Sequence, residues 1–277
     1  MGTTYPESGG TEDGIKGTGS SSTLTLNAGP TAHTKAGYTQ MMISSAADAQ
    51  GFILYVGGWG SPTATFLVDI STGAESSEIV LVAVIACSSS ANWISGEGSI
   101  YLPIRIPAGT RIAARCQSTV NGSDVIGCGI TLVDAKDTSL GFTNCETIGT
   151  VAASTRGTTV DAGATPDTKG VYAEISASTS GHYKYVAMSV GANADNAMSA
   201  DVFGLYDIAI GEIGSEVIIL GDVPYVNDTA YDFNMKEVIA LPLNVPKGSR
   251  VSVRWQASSN AADARLLDFT MHGFYDS

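Results

Sequence analysis

A sixteen-residue stretch occurs twice in this chain. Residues 102–117 read LPIRIPAGTRIAARCQ, and residues 241–256 read LPLNVPKGSRVSVRWQ. Seven of the sixteen positions are identical, and four more exchange Ile for Leu, Ile for Val or Thr for Ser. An internal repeat is the first feature to settle, because each copy should fold as one structural unit. The repeat predicts that the chain contains two copies of one domain.

Two further matches extend the repeat toward the N-terminus of each copy. Residues 67–82 align with residues 205–220 with six identities, in nearly the same register as the first match. A weaker match joins Thr34, Lys35 and Tyr38 to a second triplet, Thr168, Lys169 and Tyr172. The units are therefore predicted to span residues 30–136 and 166–277, each about as long as an ordinary domain.

Two segments lie outside the predicted units. Residues 1–29 are rich in Gly, Ser and Thr, and residues 137–165 are rich in Gly, Thr, Ala and Ser. Composition of this kind buries too little apolar surface to fold by itself. We therefore expect an extended N-terminal arm over 1–29, held by its own units or by neighbouring subunits, and a linker over 137–165.

Each unit has the pattern of short β-strands. Runs rich in Val, Ile, Tyr and Phe alternate with Gly, Asn, Asp and Pro, which is typical of strands joined by turns. Apolar residues at helical spacing are hard to find anywhere in the chain. Seven or eight strands per unit favour a β-sandwich of jelly-roll or immunoglobulin-like type. We predict an all-β protein with two tandem, duplicated, jelly-roll-like sandwiches and an extended arm.

The repeated Pro-x-Gly sequence predicts a turn. Pro107 and Pro246 would fix the backbone at the second position of a type I turn. Gly109 and Gly248 would then supply a left-handed residue that closes a three-residue hairpin with a bulge. Beyond the turn, strand alternation puts the arginines on the solvent or partner side and the apolar residues on the core side.

The repeat preserves several charged residues. They are Arg111, Arg115, Arg250, Arg254, Asp69, Asp207, Glu78 and Glu216. One interpretation is a set of Arg–carboxylate pairs that tie neighbouring strands within a unit, since the guanidinium group suits such contacts. The other is an arginine stripe that meets an acidic surface on a neighbouring subunit.

A second group of residues is a candidate contact surface for a ligand or partner. It comprises Trp59, Asp222, Tyr225, Asp228, Tyr231 and Asp232. Aromatic rings beside carboxylates are a pattern that a carbohydrate-binding patch could have. The default interpretation of the same residues is a solvated or interface loop.

The familiar motifs of catalysis and metal binding are missing from the sequence. It contains no HExxH, no G-x-S-x-G, no phosphate-binding glycine loop and no C-x-x-C. No catalytic, cofactor-binding or metal-binding residue is therefore predicted. His272 is expected to be a partly exposed strand residue. Cys116 aligns with Trp255 on the core side, which favours a buried free thiol.

The charge balance restricts the class of partner. There are 27 acidic and 14 basic residues, for a net charge of −13. Nucleic-acid binding needs a clustered basic surface, and binding to anionic membranes needs a polybasic segment, so neither is expected. The N-terminus has neither the basic nor the apolar region of a signal peptide, which favours synthesis in a reducing cytoplasm.

The pattern P-x-G-[ST]-R-[IV]-x-x-R-x-Q, at residues 107–117 and 246–256, resembles stretches found in virion structural proteins of tailed bacteriophages. The resemblance implies a non-enzymatic particle component, such as a head decoration, collar, or tail or baseplate accessory protein. Together with the duplicated sandwich, the core-poor arm over 1–29 and the missing catalytic motifs, it favours a homo-oligomer without a cofactor. It would be made in the bacterial cytoplasm and contact other virion proteins. A carbohydrate- or receptor-binding fibre protein and a hydrolase on a β-sandwich scaffold are the alternatives.

Overall fold

A computed structural model describes residues 24–59, 65–88, 98–118, 124–134, 141–149, 157–192, 202–227, 239–262 and 264–277. Throughout these ranges the regular secondary structure is β-strand. No helix in them is long and apolar enough to cross a membrane.

The first unit contains eight of the described strands. They are β1 (Leu24–Asn27), β2 (Thr39–Met42), β3 (Ala49–Trp59), β4 (Thr65–Thr72), β5 (Ile79–Ser88), β6 (Gly98–Leu102), β7 (Ile112–Ser118) and β8 (Val125–Asp134). Sheet 1 has the order β1-β8-β3-β6 and sheet 2 the order β2-β7-β4-β5. All pairs are antiparallel.

The second unit repeats all eight strands of this arrangement and adds one, β9. Its described strands are β9 (Asn144–Ile148), β10 (Thr158–Asp161), β11 (Ala173–Ser176), β12 (Tyr185–Ala192), β13 (Val202–Ile210), β14 (Val217–Asn227), β15 (Ile239–Leu241), β16 (Val251–Ala257) and β17 (Leu266–Tyr275). Sheet 3 has the order β10-β17-β12-β15 with β9 also paired to β17, and sheet 4 has the order β11-β16-β13-β14. Without β9, each unit consists of two four-stranded antiparallel sheets, and sheets wound in this order form a jelly roll. The predicted fold class is confirmed.

Both units begin earlier in the chain than the sequence indicated. Strand β1 lies within the segment assigned to the arm, and its Leu26 is fully buried in the first core. Strands β9 and β10 lie within the segment assigned to the linker, and Val160 of β10 is buried in the second core. These strands are four or five residues long and flanked by Gly, Ser and Thr, so composition hides them. Residues 1–23 of the arm lie outside the described ranges.

The two cores fill the same space with different residues. In unit 1 the diagonal neighbours Phe66 and Cys116 face the core, and in unit 2 the aligned positions hold Gly204 and Trp255. A Cβ atom at Gly204 would lie 2.9 Å from the Trp255 ring. The large side chain has therefore moved from one strand to the other, a volume-conserving exchange of the kind that cores tolerate. Cys116 is buried, as predicted.

The Pro-x-Gly turn differs from the predicted hairpin. Gly109 and Gly248 have φ of 79° and 82°, so the left-handed conformation is confirmed. However, the Thr110 N–H donates to the Pro107 carbonyl at 3.3 Å, which puts proline first and glycine third. A positive φ at the third position is what a type II turn requires. The prediction of a type I turn closing a hairpin was wrong, because the turn joins β6 in sheet 1 to β7 in sheet 2.

Candidate functional site

A buried carboxylate lies at the centre of sheet 2. Asp69 on β4 is 1% exposed, and its carboxylate accepts hydrogen bonds from Arg115 Nε at 2.9 Å and Lys35 Nζ at 2.6 Å. A third donor is the backbone N–H of Val84, at 3.0 Å. The Arg115 guanidinium lies 4.4 Å from the centre of the Tyr38 ring, within the range of a cation–π contact. The cluster joins β4, β5, β7 and the segment before β2.

The same cluster recurs in sheet 4. Asp207 accepts hydrogen bonds from Arg254 Nε at 2.9 Å, Lys169 Nζ at 2.6 Å and the Asp222 backbone N–H at 2.9 Å. Arg254 lies over the Tyr172 ring at 4.6 Å. Burial by itself would raise the pKa of Asp207, but the hydrogen bonds from these three donors outweigh it and lower that pKa below its usual value.

Each cluster also fixes a bulge in an edge strand. Val84 and Asp222 have positive φ, 58° and 54°, which is unusual for residues other than glycine. The pairing of β4 with β5 and of β13 with β14 shifts register around the central aspartate. The aspartate therefore satisfies the backbone donor that the bulge turns inward. Bulges of this kind break the regular hydrogen-bonding edge that another strand could extend.

The outer pair of repeated arginines clamps a turn in each unit. Arg111 Nη1 lies 3.0 Å from Glu78, and Arg250 Nη1 lies 3.3 Å from Glu216. The same nitrogen in each unit donates to a glycine carbonyl of the turn that joins β4 to β5 or β13 to β14. All four repeated arginines thus contact carboxylates of their own unit. Glu174 adds a second carboxylate to Arg250, at 2.8 Å.

Four members of these clusters were not identified as site residues from the sequence. They are Lys35, Tyr38, Lys169 and Tyr172. The weak repeat match contained all four residues, so the alignment showed that they recur but did not indicate what they contact. In the fold, each lysine binds the buried aspartate of its unit and each tyrosine ring lies under the arginine that also binds it.

Of the candidate ligand surface around residues 222–233, the structure describes residues 222–227, and it contradicts the prediction at Tyr225. Tyr225 is 2% exposed and packs edge-to-face on Trp255, with ring centroids 6.3 Å apart. That prediction was wrong for Tyr225 because strand alternation along β14 turns it into the core. The Asp222 side chain is exposed and lies 3.1 Å from Lys169. Asp228, Tyr231 and Asp232 lie outside the described residues, as does the side chain of Trp59, which ends β3.

The units meet where the outward face of sheet 3 packs on unit 1. Ala187 on β12 and Phe274 on β17 are fully buried and belong to the first hydrophobic core. Their neighbour Tyr185 lies 6.5 Å from Phe142, ring centre to ring centre. Strand β9 lies beside β5, where the Thr147 hydroxyl donates to the Ala83 carbonyl at 3.1 Å. We call this contact the junction.

A histidine is buried in the junction. His272 on β17 is 0% exposed, and its Nδ1 lies 3.0 Å from the Thr147 hydroxyl. Because that hydroxyl donates its proton to Ala83, it accepts from a protonated Nδ1, which leaves Nε2 unprotonated. Nε2 has no hydrogen-bond partner among the described residues. Burial lowers the pKa of His272 to about 4, so the ring is neutral near pH 7. The expectation of partial exposure was wrong because this sheet face is an interface.

The cysteines behave as core residues. Cys87, Cys116 and Cys128 are buried in the first core, and Cys145 lies at the junction. Burial raises the pKa of Cys116 to about 12, and the pKa of each of the other three thiols also lies well above its usual value. In the described part of the chain, no group of three or more His, Cys, Asp or Glu residues could hold a metal ion.

Comparison with known proteins finds only distant structural likenesses. No family model and no curated protein sequence matches this chain. Among solved structures it is similar to the STIV MCP, with 10% identity over 91% of this chain and 94% of that chain and a TM-score of 0.36. It is also similar to PNGF-II, with 7% identity over 92% of this chain and 66% of that chain and a TM-score of 0.37. A third similar structure is that of the tandem CBM51 modules of a family 98 glycoside hydrolase from Streptococcus pneumoniae. It matches with 13% identity over 87% of this chain and 83% of that chain and a TM-score of 0.23. All three TM-scores are low, so these likenesses do not bear on what the chain does.

Proposed function

We propose that this chain is a non-enzymatic structural subunit of a tailed-bacteriophage virion. It acts through contacts between copies of itself and with other virion proteins, as a head decoration, a collar, or a tail or baseplate accessory protein. It is made in the host cytoplasm and becomes part of the particle. The repeated Pro-x-Gly-[Ser/Thr]-Arg ribbon, which resembles stretches in such proteins, supports this class of function.

The observation that carries the proposal is the junction. Sheet 3 directs Ala187, His272 and Phe274 away from its own core, and all three are fully buried against unit 1. A sheet face in a β-sandwich that buries small and apolar residues against a second jelly roll is a packing surface. The chain thus consists of two jelly rolls joined face to edge, and this packed arrangement supports a structural role.

The repeated charges support a structural role as well. Each unit uses its repeated arginines, with an aspartate and a glutamate, to fix strands and turns of its own sheets. Removing one partner of a partly buried, hydrogen-bonded ion pair strongly destabilises a fold. Such pairs suit a subunit whose role is structural. These residues are therefore assigned to the stability of each jelly roll.

The proposal is tested by complementation. The gene for this chain is disrupted in the phage that carries it, and the chain is supplied from a plasmid in the host. Full-length chain should be recovered in purified particles in fixed stoichiometry, as measured by quantitative mass spectrometry. A variant lacking residues 2–22, which keeps β1, should be incorporated less well if the arm fastens the subunit. Normal particles without the chain would contradict the proposal. Specific signals for the purified chain on a glycan array would instead favour a carbohydrate- or receptor-binding fibre protein.

A further inference from the structure

The outward face of sheet 1 is the counterpart of the sheet 3 face that forms the junction. By strand order, β3 and β8 of sheet 1 correspond to β12 and β17 of sheet 3. By register, the pair Ile53 and Thr131 on sheet 1 corresponds to the pair Ala187 and His272 on sheet 3. From Gly51 to Tyr55 on β3 and along β8 from Val125 to Val133, the outward positions carry no charge. We call this surface face 1. Its sheet 3 counterpart is buried, whereas Tyr55 on face 1 is 39% exposed.

Strand β14 is in turn the counterpart of β5, the strand that the junction covers. Positions 82–86 of β5 align with positions 220–224 of β14. All five positions are more exposed on β14, and the contrast is largest where Ala86, fully buried, aligns with the exposed Pro224. Two large apolar residues stand beside this segment, Phe203 at 63% exposed and Val226 at 49%. We call β14 from 220 to 226, together with Phe203, the β14 patch.

Apart from β9, which has no counterpart among the described strands of unit 1, both halves of the junction therefore occur a second time, on opposite units and without a covering surface within the described chain. We propose that face 1 of one copy packs on the β14 patch of a second copy, in the way that sheet 3 packs on β5 inside each chain. The inference deepens the proposed function by naming the surfaces through which copies associate, and it rests on that function. Because the two surfaces differ, the contact is head-to-tail and leads to a ring or a filament.

Charge is compatible with this contact. The chain carries a net charge of −13, so two copies repel each other over most orientations. Face 1 is uncharged at its outward positions on β3 and β8. The Asp222 carboxylate in the β14 patch lies 3.1 Å from Lys169, which offsets its charge. The two surfaces thus meet without placing like charges opposite each other.

The first test places a carboxylate on each surface. Tyr55→Asp alters face 1 and Phe203→Asp alters the β14 patch. Ile43→Asp and Val171→Asp are matched controls, because these residues are 77% and 84% exposed and lie beside β2 and β11, at the opposite edges of sheets 2 and 4. Sedimentation velocity of the full chain should show self-association for the wild type and both controls. Each surface variant should weaken association at least about tenfold, since it buries an unpaired charge.

The second test mixes the two surface variants. The Tyr55→Asp chain keeps an intact β14 patch, and the Phe203→Asp chain keeps an intact face 1. A head-to-tail contact therefore predicts that the mixture forms a one-to-one dimer that grows no further, although each variant alone is monomeric. Circular dichroism of each variant checks that the fold is kept.

The outcomes separate this inference from the proposed function. If the wild type associates and the surface variants associate equally well, or if their mixture stays monomeric, the assignment of these two surfaces is overturned while a structural role remains. If the wild type itself is monomeric at every concentration, self-association fails altogether, and the inference fails with it.

Discussion

The backbone N–H of Asp222 donates to the carboxylate of Asp207 at 2.9 Å, as the N–H of Val84 does to Asp69 at 3.0 Å. In both units a buried aspartate satisfies a donor from a left-handed residue on the neighbouring edge strand. The two cationic partners of each aspartate come from two other segments. One carboxylate therefore holds four segments of its sheet in register, and its loss would leave two cations and an amide without their acceptor.

Replacing this carboxylate should destabilise the protein strongly. We expect Asp69→Asn or Asp207→Asn to lower the free energy of unfolding by about 2–4 kcal/mol, because a buried partner of an ion pair is removed. Urea unfolding followed by circular dichroism measures the effect. The control is Glu174→Gln, whose side chain is 44% exposed beside Arg250 and whose loss should cost less than about 1 kcal/mol. Equal losses at buried and exposed sites would contradict the account.

The Pro-x-Gly turns isolate the effect of backbone conformation. A Cβ at Gly109 or Gly248 would meet no atom within 4 Å, so any cost of a side chain there comes from its positive φ. We expect Gly109→Val and Gly248→Val to destabilise the protein by about 1–3 kcal/mol. Gly37→Val is the control, since it also has open space around its Cβ and no positive φ. A melting temperature unchanged in both turn variants would argue against the assignment.

The junction should weaken in mild acid. The pKa of His272 is about 4 in the folded protein against an ordinary value near 6.5, so the unfolded chain binds the proton more readily. Stability from this residue is complete above about pH 6.5 and falls as the pH drops toward 4, by about 3 kcal/mol in total. The depressed pKa of Asp207 acts in the same direction but below its ordinary value of about 3.9, so the two windows are distinct.

The measurement for His272 is the pH dependence of urea unfolding between pH 7 and pH 4. His272→Asn keeps a donor for Thr147 and cannot titrate, so its stability should change much less over this window. His182→Asn, at an exposed site beside Asn244, should retain the wild-type dependence. Parallel curves for the wild type and His272→Asn would show that the buried histidine does not sense pH.

The buried thiols should be inert in the native protein. Because burial raises the pKa of Cys116 to about 12 and keeps Cys87 and Cys128 neutral as well, thiolate is scarce at pH 8. Labelling with a thiol reagent should be slow in buffer and complete in urea, and the native rate should follow the rate of unfolding. Rapid labelling of three thiols in native conditions would contradict the described packing of the first core.

The sequence predicted those features that the duplication and strand alternation determine. The aligned pairs Asp69/Asp207 and Arg115/Arg254 marked residues that the fold keeps, and alternation placed Cys116 and Trp255 in the core. Alternation also applied to Tyr225, which had been placed on a surface because its neighbours in sequence are acidic. The sequence therefore predicted the structure correctly where a residue's position depends on strand alternation or is repeated in both units.

The features that escaped prediction depend on how separate elements meet in space. Ala187, His272 and Phe274 have the ordinary pattern of an outward strand face, and nothing in their spacing says that a second jelly roll covers them. The β1 strand was hidden for a different reason, since Leu26 is its only fully buried residue and Leu24 is only partly buried against the core. The proposed role of face 1 rests in the same way on a three-dimensional relationship, the burial of its counterpart on sheet 3.

The central claim, that this chain is built to assemble with copies of itself, is tested most directly by the mass of the purified full-length protein in solution. Multi-angle light scattering coupled to size exclusion should be run from dilute samples up to the solubility limit. We predict species that are multiples of the 28.5 kDa chain and that grow with concentration toward a closed ring or a filament. A 28.5 kDa monomer at every concentration would contradict the claim.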